Sequence, residues 1–343
     1  MSPLKIALDV MGGDHAPRVN IKGAVEAYKK WGYSIVLVGN RDQILRELER
    51  NKIKPKLFEI VHAEEVIDMH EHASTARRKK NSSMNVAFDL MREKKVDAVV
   101  SPGHTGAFMA GALFTVGRLP GVSRPALTAS IPSLKGEAVM LDIGANVDCK
   151  PKHLVQFALM GDMYCRLVKG VEKPRVGLLS NGTESSKGND VLRTTDQELK
   201  TKNLNYIGFV EPRDVFRNAV DVVVCDGFYG NLFLKTAESI LSTLIFLFKK
   251  ELKRSILSKL TFLLFMLSAR KTLKMLRRRF DYAEHGAAPL LGINGLGFVC
   301  HGSSSAHAIR NALHMAALSA QSGFLRELNE EIARLGYEKG EEL

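Results

Sequence analysis

The sequence predicts an α/β protein built on a mainly parallel sheet, and two observations lead to that prediction. Short β-branched runs that end in Gly, Ser, Asn or Asp alternate with longer helical patterns along most of the chain. Several of these runs are apolar at every position, which is typical of strands that helices cover on both faces. We therefore expect one catalytic α/β unit over residues 1–343, with a helical insertion at 240–280.

Each element follows from its local pattern. Runs of β-branched and other apolar residues predict ten strands, at 4–10, 34–38, 57–62, 96–101, 126–131, 138–142, 175–180, 205–210, 221–226 and 295–301. Apolar residues spaced three and four apart predict six helices, at 19–31, 85–95, 105–117, 152–168, 190–201 and 305–319. No internal repeat and no low-complexity linker interrupts this order.

Composition excludes several classes of protein. The chain has 343 residues, of which 45% are hydrophobic and 25% charged, so it is not a collagen, a mucin, a disordered tail or a disulfide mini-protein. Its four cysteines, Cys149, Cys165, Cys225 and Cys300, are widely separated and predict neither a zinc knuckle nor a disulfide framework. The first ten residues include Lys5 and Asp9 and do not resemble a secretory signal. We expect a cytoplasmic protein.

The loops that follow the predicted strands share one chemistry. Ligands of open α/β sheets bind beyond the carboxyl ends of the strands. Glycines there let backbone approach a ligand, and the following helices present free N–H groups that suit an anion. We expect the six loops, at 9–15, 101–106, 142–146, 180–184, 226–231 and 301–305, to converge on one edge of the sheet. The alternative is that each loop provides only the caps and turns that any α/β protein needs.

Several well-known site motifs are missing. The sequence contains no G-x-G-x-x-G with a ribose-binding acid after the first strand, no Walker A lysine motif, no H-E-x-x-H and no G-x-S-x-G. This disfavours dinucleotide, P-loop and zinc-hydrolase sites. Asp9, Asp14 and His15 could ligate a metal ion, but such a cluster is more often a capped turn. We predict neither a metal nor a cofactor.

The net charge of +12 is concentrated in one segment. Residues 249–279 contain eleven basic residues and one acidic residue, interleaved with apolar residues at helical spacing. Its apolar runs are shorter than the ~18 residues that a transmembrane helix needs, so we expect an amphipathic helical hairpin that lies on an anionic bilayer. The alternative is a hairpin packed on the core or on a second subunit. Nucleic acid is disfavoured because aromatic residues do not interleave with the cations.

The motifs in these loops closely resemble those of one family. The residues that carry the resemblance are 7–14, 101–111, 142–151, 180–189, 226–231, 288–292 and 301–303, and it extends from Lys5 to about Ala320. On these motifs the chain resembles the PlsX family, the acyl-acyl carrier protein:phosphate acyltransferases. It departs from the family where His104 replaces a common Asn and where Tyr229 replaces a small hydroxyl residue.

The resemblance implies a fold, a reaction and a location. The fold would be the three-layer α/β/α type of isocitrate dehydrogenase and phosphotransacetylase, as a homodimer bound peripherally to the inner face of the cell membrane. The reaction would convert long-chain acyl-acyl carrier protein and inorganic phosphate into acyl phosphate and free carrier. A membrane glycerol-3-phosphate acyltransferase would then use the acyl phosphate for glycerophospholipid synthesis.

Phosphate is already an oxyanion at neutral pH, so the protein needs to hold it against the thioester rather than to create a nucleophile. We predict catalytic roles for Lys187, Asn146, Asn181 and His15. Asp9, Asp142 and Asp226 should orient donors, because a bare carboxylate repels an anion. The predicted substrate-binding residues are Asp9, Gly12, Gly13, Asp14, Ser101, Gly103, Thr105, Gly106, Asp142, Gly144, Gly182, Asp226, Gly227, Gly230, Asn231, Gly302 and Ser303.

Two basic segments, 77–80 and 249–279, are candidates for contact with the acidic carrier. Three alternative functions remain open. The chain could be a phosphotransacetylase-like enzyme that uses acyl-coenzyme A, a dehydrogenase of the same architecture, or a non-catalytic membrane adaptor.

Overall fold

Eleven strands form one sheet in the computed structural model, which describes residues 4–252 and 282–334. The strands are β1 (Lys5–Asp9), β2 (Ser34–Gly39), β3 (Glu59–His62), β4 (Ala98–Ser101), β5 (Ala126–Ser133), β6 (Gly136–Leu141), β7 (Val176–Leu179), β8 (Tyr206–Val210), β9 (Val222–Val224), β10 (Ala288–Leu291) and β11 (Gly297–Val299). Their order across the sheet is β3-β2-β1-β4-β11-β10-β5-β6-β9-β7-β8. All ten predicted strands are therefore confirmed.

Helices follow most strands. They are α1 (Arg18–Trp31), α2 (Arg41–Arg50), α3 (Thr75–Arg78), α4 (Ser83–Arg92), α5 (Thr105–Thr115), α6 (Pro151–Leu167), α7 (Asp190–Lys200), α8 (Pro212–Phe216), α9 (Gly227–Leu252), α10 (Tyr282–His285), α11 (Ala306–Gln321) and α12 (Phe324–Arg334), with a short 3-10 helix at Pro55–Leu57. Side chains cap several of them: Asn40 caps α2, Ser82 caps α4, Asn189 caps α7 and Ser305 caps α11.

The sheet has a hydrophobic layer on each face. Ile6 and Leu8 of β1 belong to a core that also contains Ile309 of α11. Ala7, between them, points to the other core, which contains Phe88 of α4 and Phe108 of α5. Because both cores are fully covered by helices, the architecture is the three-layer α/β/α sandwich that the apolar strands predicted.

The sequence patterns missed strand β10 and several helices, which are α2, α3, α8, α10 and α12. Strand β10 is four residues long and contains Pro289, so its pattern was too short and too atypical to indicate a strand. Helix α2 has only Ile44 and Leu48 as buried apolar residues, because it covers the edge of the sheet and is otherwise polar.

The strands run in two directions. β1, β2, β3, β4 and β11 are mutually parallel, and β6, β7, β8 and β9 are mutually parallel. Antiparallel ladders connect β11 to β10, β10 to β5 and β5 to β6, so the second set runs opposite to the first. The convergence of all six loops stays a prediction. The carboxyl ends form two sets of three.

Helix α9 begins earlier and is longer than the apolar runs indicated. Its Gly227–Phe248 part has 22 residues and a mean hydropathy of 1.3, which by length and composition is enough to cross a membrane. The expectation that this region is too short to span is thus corrected for α9. Ile240, Leu244 and Phe246 are more than half exposed. Residues 253–281 of the predicted hairpin lie outside the described residues.

Candidate active site

The predicted site residues fall into two groups of loops. The first loop group comprises residues 9–15, 101–106 and 301–305, after β1, β4 and β11. The second loop group comprises residues 142–146, 180–188 and 226–231, after β6, β7 and β9. Within each group the parent strands are neighbours or next neighbours in the sheet.

The buried carboxylate of Asp9 holds the first loop group in place through hydrogen bonds. Its carboxylate accepts hydrogen bonds from the backbone N–H of Met11 at 3.1 Å and of Gly12 at 3.2 Å, and from Ser101 Oγ at 2.7 Å. Burial raises the pKa of Asp9, although its hydrogen bonds, one from Ser83 among them, act in the opposite direction. Asp9 is 1% exposed, so it positions donors, as expected, and does not face a ligand.

Close backbone packing holds the three loops of this group together. A methyl group at Gly12 would lie 2.7 Å from the backbone nitrogen of Gly103. Gly13 has φ +86°, and the N–H of Asp14 donates to the carbonyl of Gly302 at 2.9 Å. The loops therefore form a rigid platform, on which Asp14, His15 and Thr105 are exposed.

Asp142 organises the second loop group. It is fully buried and accepts hydrogen bonds from the N–H groups of Leu127, Gly144 and Ala145 at 2.9–3.1 Å. Asn146 donates to it twice, through the backbone at 2.6 Å and through Nδ2 at 2.8 Å. Burial raises the pKa of Asp142 against these hydrogen bonds. The carboxylate thus shapes the loop and has no oxygen left for a ligand.

Asn146 does not present the free amide that we predicted. Its Nδ2 also donates to the carbonyl of Pro125 at 2.7 Å, so both amide hydrogens are used inside the protein. Its own carbonyl accepts from the N–H of Gly227 at 2.7 Å. Asn146 is therefore a positioning residue that ties the loop after β6 to the start of α9. The prediction of an oxyanion donor at this side chain was wrong.

The first turn of α9 completes this arrangement. Asp226, whose pKa burial raises, accepts from the N–H of Tyr229 at 2.9 Å. A methyl group at Gly230 would overlap the carbonyl oxygen of Asp142, so only glycine fits there. Asn231 is exposed beside Gly144, where a methyl group would lie 3.9 Å from Asn231 Cβ.

The loop after β7 carries the predicted cation. Asn181 is exposed, and its Oδ1 accepts from the N–H of Gly188 at 3.0 Å. Lys187 is exposed, and its aliphatic stem crosses Gly182, where a methyl group would lie 2.9 Å from Lys187 Cγ. The catalytic roles of Asn181 and Lys187 stay predictions.

Sequence reasoning missed several basic residues near the second loop group. His153, in the first turn of α6, accepts the N–H of Lys150 at its Nδ1 at 3.1 Å. Its pKa is lowered, first by burial and then by the positive charges of Arg124, Lys150 and Lys152. The motif at 142–151 contains Lys150, so this positive region could have been found from the sequence by extending the loop to the helix start.

The thiols do not supply a nucleophile. Burial raises the pKa of both Cys149 and Cys165 to about 12, and it also raises the pKa of Cys225 and Cys300. All four cysteines are thus protonated at neutral pH, and the thiolate is the reactive form. Within residues 4–252 and 282–334, no group of three or more His, Cys, Asp or Glu side chains could hold a metal ion.

The amino ends of the two sets of strands face the same side of the molecule. Trp31, just before β2, and Glu137, in β6, line one open cavity of about 560 Å³. The carboxyl ends of these strands therefore point away from this cavity.

The fold is that of the phosphotransacetylases. A phosphotransacetylase from Streptococcus pyogenes superposes with a TM-score of 0.65 at 16% identity, over 93% of this chain and 94% of that one. The EutD phosphotransacetylase from Staphylococcus aureus superposes with a TM-score of 0.59 at 15% identity, over the same shares. This confirms the predicted fold class.

The family follows from the sequence comparisons. A family model described as "Fatty acid synthesis protein" matches residues 4–327. Proteins named phosphate acyltransferase from Geotalea uraniireducens and Geobacter sulfurreducens are each 48% identical over 330 residues, which cover 96% of this chain and 94% of each relative. The chain belongs to this phosphate acyltransferase family, the PlsX family, and is an acyltransferase.

Proposed function

We propose that the protein transfers a long-chain acyl group from acyl carrier protein to inorganic phosphate. The observation that carries the proposal is the pair of glycine-rich loop groups whose buried carboxylates, Asp9 and Asp142, are consumed in holding backbone donors. Such a site binds an anion without repelling it. The names of the relatives supply the acyl transfer, and the product, acyl phosphate, would feed glycerophospholipid synthesis.

The proposed chemistry needs no covalent enzyme intermediate. A phosphate oxygen attacks the thioester carbonyl carbon, a carbon–oxygen bond forms, and the carbonyl electrons move to the oxygen. The tetrahedral intermediate then collapses, the carbon–sulfur bond breaks, and the carrier leaves as a thiolate that takes a proton from solvent. Protonated cysteines and preorganised donors suit this route, in which electrostatic stabilisation contributes most of the rate.

The acidic carrier would dock beside the first loop group. Arg77 lies 4.6 Å over the ring of Phe114, which is 61% exposed, and Arg78 and Lys80 are near it in sequence. Lys79 is used inside the protein, because its Nζ bonds to Glu71 and to the carbonyl of Val66. Ala73, two residues before α3 begins, packs at Gly106 and so links this surface to the site. Acyl-coenzyme A remains the alternative donor.

We also propose that the protein is cytoplasmic and associates peripherally with the inner face of the membrane as a homodimer. The exposed apolar side chains of α9 support contact with a bilayer or with a second subunit. The first turn of α9 is packed against Asp142 and Asn146, so this helix would stay attached to the catalytic unit while its far end meets lipid.

Hydroxylamine trapping tests the proposed reaction. Protein, phosphate and a long-chain acyl donor are mixed, and acyl phosphate is trapped as the hydroxamate. We expect product with acyl-acyl carrier protein and much less with acyl-coenzyme A. Product from acyl-coenzyme A alone would favour the phosphotransacetylase-like alternative, and product from neither donor would refute acyl transfer to phosphate.

A further inference from the structure

His104 is held in one tautomer at the start of α5. It is the N-cap of this helix, and its Nδ1 accepts the backbone N–H of Ala107 at 3.0 Å. A backbone N–H can only donate, so Nδ1 carries the lone pair and the ring hydrogen of the neutral imidazole is on Nε2. A ring hydrogen on Nδ1 could not make this cap. The result is an uncharged N–H donor of fixed orientation.

The loop that carries His104 is rigid. The N–H of Gly103 donates to Ser101 Oγ at 3.1 Å, and Ser101 is itself bonded to Asp9. Gly106 makes room for the imidazole, because a methyl group there would lie 3.0 Å from His104 Cε1 and 3.1 Å from Ala73 Cβ. The ring therefore has little freedom to move away from the position its cap gives it.

The ring stands in the first loop group, at the carboxyl end of β4. His104 is half-buried there, next to exposed Thr105 and the unbonded N–H groups of the first turn of α5. Two neighbouring loops hold imidazoles by the same device: Nδ1 of His301 accepts from Ser303 at 3.2 Å and Nδ1 of His72 accepts from Ser74 at 3.3 Å. Those two rings are exposed, whereas a hydrogen bond from half-buried His104 is less weakened by water.

A neutral imidazole at a helix N-terminus can polarise a carbonyl group without adding a charge to the site. We propose that His104 is a catalytic residue whose Nε2–H donates a hydrogen bond to the thioester carbonyl oxygen as that oxygen becomes an oxyanion. This inference rests on the proposed function. The hydrogen stays on Nε2 throughout: the bond tightens when phosphate attacks and weakens when the carbonyl re-forms and the carbon–sulfur bond breaks.

The test distinguishes the helix-capping role of His104 Nδ1 from the proposed donor role of its Nε2–H. His104→Ser keeps an N-cap, as Ser82 and Ser305 provide for α4 and α11, but removes the N–H that would reach the oxyanion. We expect kcat to fall by ~10²–10³-fold, with unchanged KM for phosphate and for the acyl donor and an unchanged melting temperature. His104→Asn retains a cap oxygen and an amide donor and should recover much of the lost kcat.

The control is His62→Ser. His62 also accepts a backbone N–H at Nδ1, from Arg41 at 3.2 Å, but it lies at the end of the edge strand β3. We expect this variant to leave kcat unchanged. A folded His104→Ser variant with normal kcat, or one that changes only KM, would overturn the inference. Acyl phosphate formation by the unaltered protein would still uphold the proposed function in that case.

A second measurement does not depend on activity. Nitrogen-15 spectra of the imidazoles in the full chain should show His104 as the Nε2–H tautomer at neutral pH, with no change of tautomer when inorganic phosphate is added. An Nδ1–H tautomer or a doubly protonated ring would remove the donor and overturn the inference, even if His104→Ser were to misfold.

Discussion

Gly230 lies directly against Asp142: a methyl group at Gly230 would occupy the position of the Asp142 carbonyl oxygen. This contact places the first turn of α9 on the loop after β6. We expect Gly230→Ala to destabilise the protein by at least ~1–3 kcal/mol, because backbone must move to admit the methyl group. Urea unfolding measures the change.

Gly136→Ala is the matched control for this prediction. The nearest atom to a methyl group at Gly136 is Asn218 Oδ1, at an ordinary contact distance of 3.8 Å. Gly136→Ala should change the free energy of unfolding much less than Gly230→Ala does. Equal effects of the two variants would show that the α9 contact is not tight.

Removal of the Asp142 charge should disorganise the second loop group. In Asp142→Asn one carboxylate oxygen becomes an NH₂ group, so either the N–H groups of Gly144 and Ala145, which bond to Oδ1, or the N–H of Asn146, which bonds to Oδ2, lose their acceptor. Leaving even one such donor unsatisfied costs ~1–3 kcal/mol, so the midpoint of urea unfolding should fall and turnover should fall with it. The exposed Asp148→Asn is the control. A variant of normal stability and rate would contradict the positioning role.

Asp9 should make stability depend on pH in a defined direction. Its folded pKa is raised above the reference value of 3.8, so the folded state binds its proton more tightly than the unfolded state does. The stability that Asp9 contributes is complete below about 3.8 and is lost as pH rises through the folded pKa. Relative to Asp9→Asn, the unaltered protein should thus lose free energy of unfolding as pH increases.

Urea unfolding of both proteins at a series of pH values that rises from the reference pKa of 3.8 makes the comparison. Asp42→Asn, an exposed position in the first turn of α2, provides the baseline for a surface carboxylate. The opposite result is that the unaltered protein gains free energy of unfolding relative to Asp9→Asn as pH rises. That result would show that the Asp9 pKa is lowered instead.

Lys187 should stabilise developing negative charge if the loop after β7 faces the reacting phosphate. Lys187→Ala is then expected to slow turnover by ~10²-fold or more, since an electrostatic donor in a preorganised site contributes about that much. Its side chain is exposed, so the melting temperature should not change. Lys135→Ala, at an exposed residue between β5 and β6, is the control, and equal rates for the two variants would remove Lys187 from the site.

The far end of α9 should mediate contact with lipid. Leu244 is 59% exposed, and Leu244→Glu should weaken flotation with anionic vesicles by roughly tenfold or more, because it removes a buried apolar side chain from the interface. Ile207→Glu changes a similarly exposed residue on β8 and should not affect flotation. Unchanged flotation of the α9 variant would refute the membrane role of this helix.

Local patterns in the sequence were sufficient to predict most strands and helices and the residue types that follow the strand ends. Apolar runs such as Val96–Ser101 predicted strands because a strand covered on both faces has no polar side to show. The loop at 142–146 was correctly expected to use Asp142 as an organiser, since a bare carboxylate beside an anion is repulsive.

Strand direction and hydrogen-bond partners could be known only from the tertiary structure. The two antiparallel ladders of β10, with β11 and with β5, cancel, so the reversal between the two sets of strands arises at the antiparallel β5–β6 pair. Strand β5 joins the first set only through β10, whose Leu290 pairs with Leu127, far away in the chain. Asn146 has the same side chain whether its amide is free or bonded to Pro125, 21 positions away, and no local pattern distinguishes the two cases. Periodicity reports which face of an element is buried, whereas long-range pairing decides which polar groups remain for a ligand.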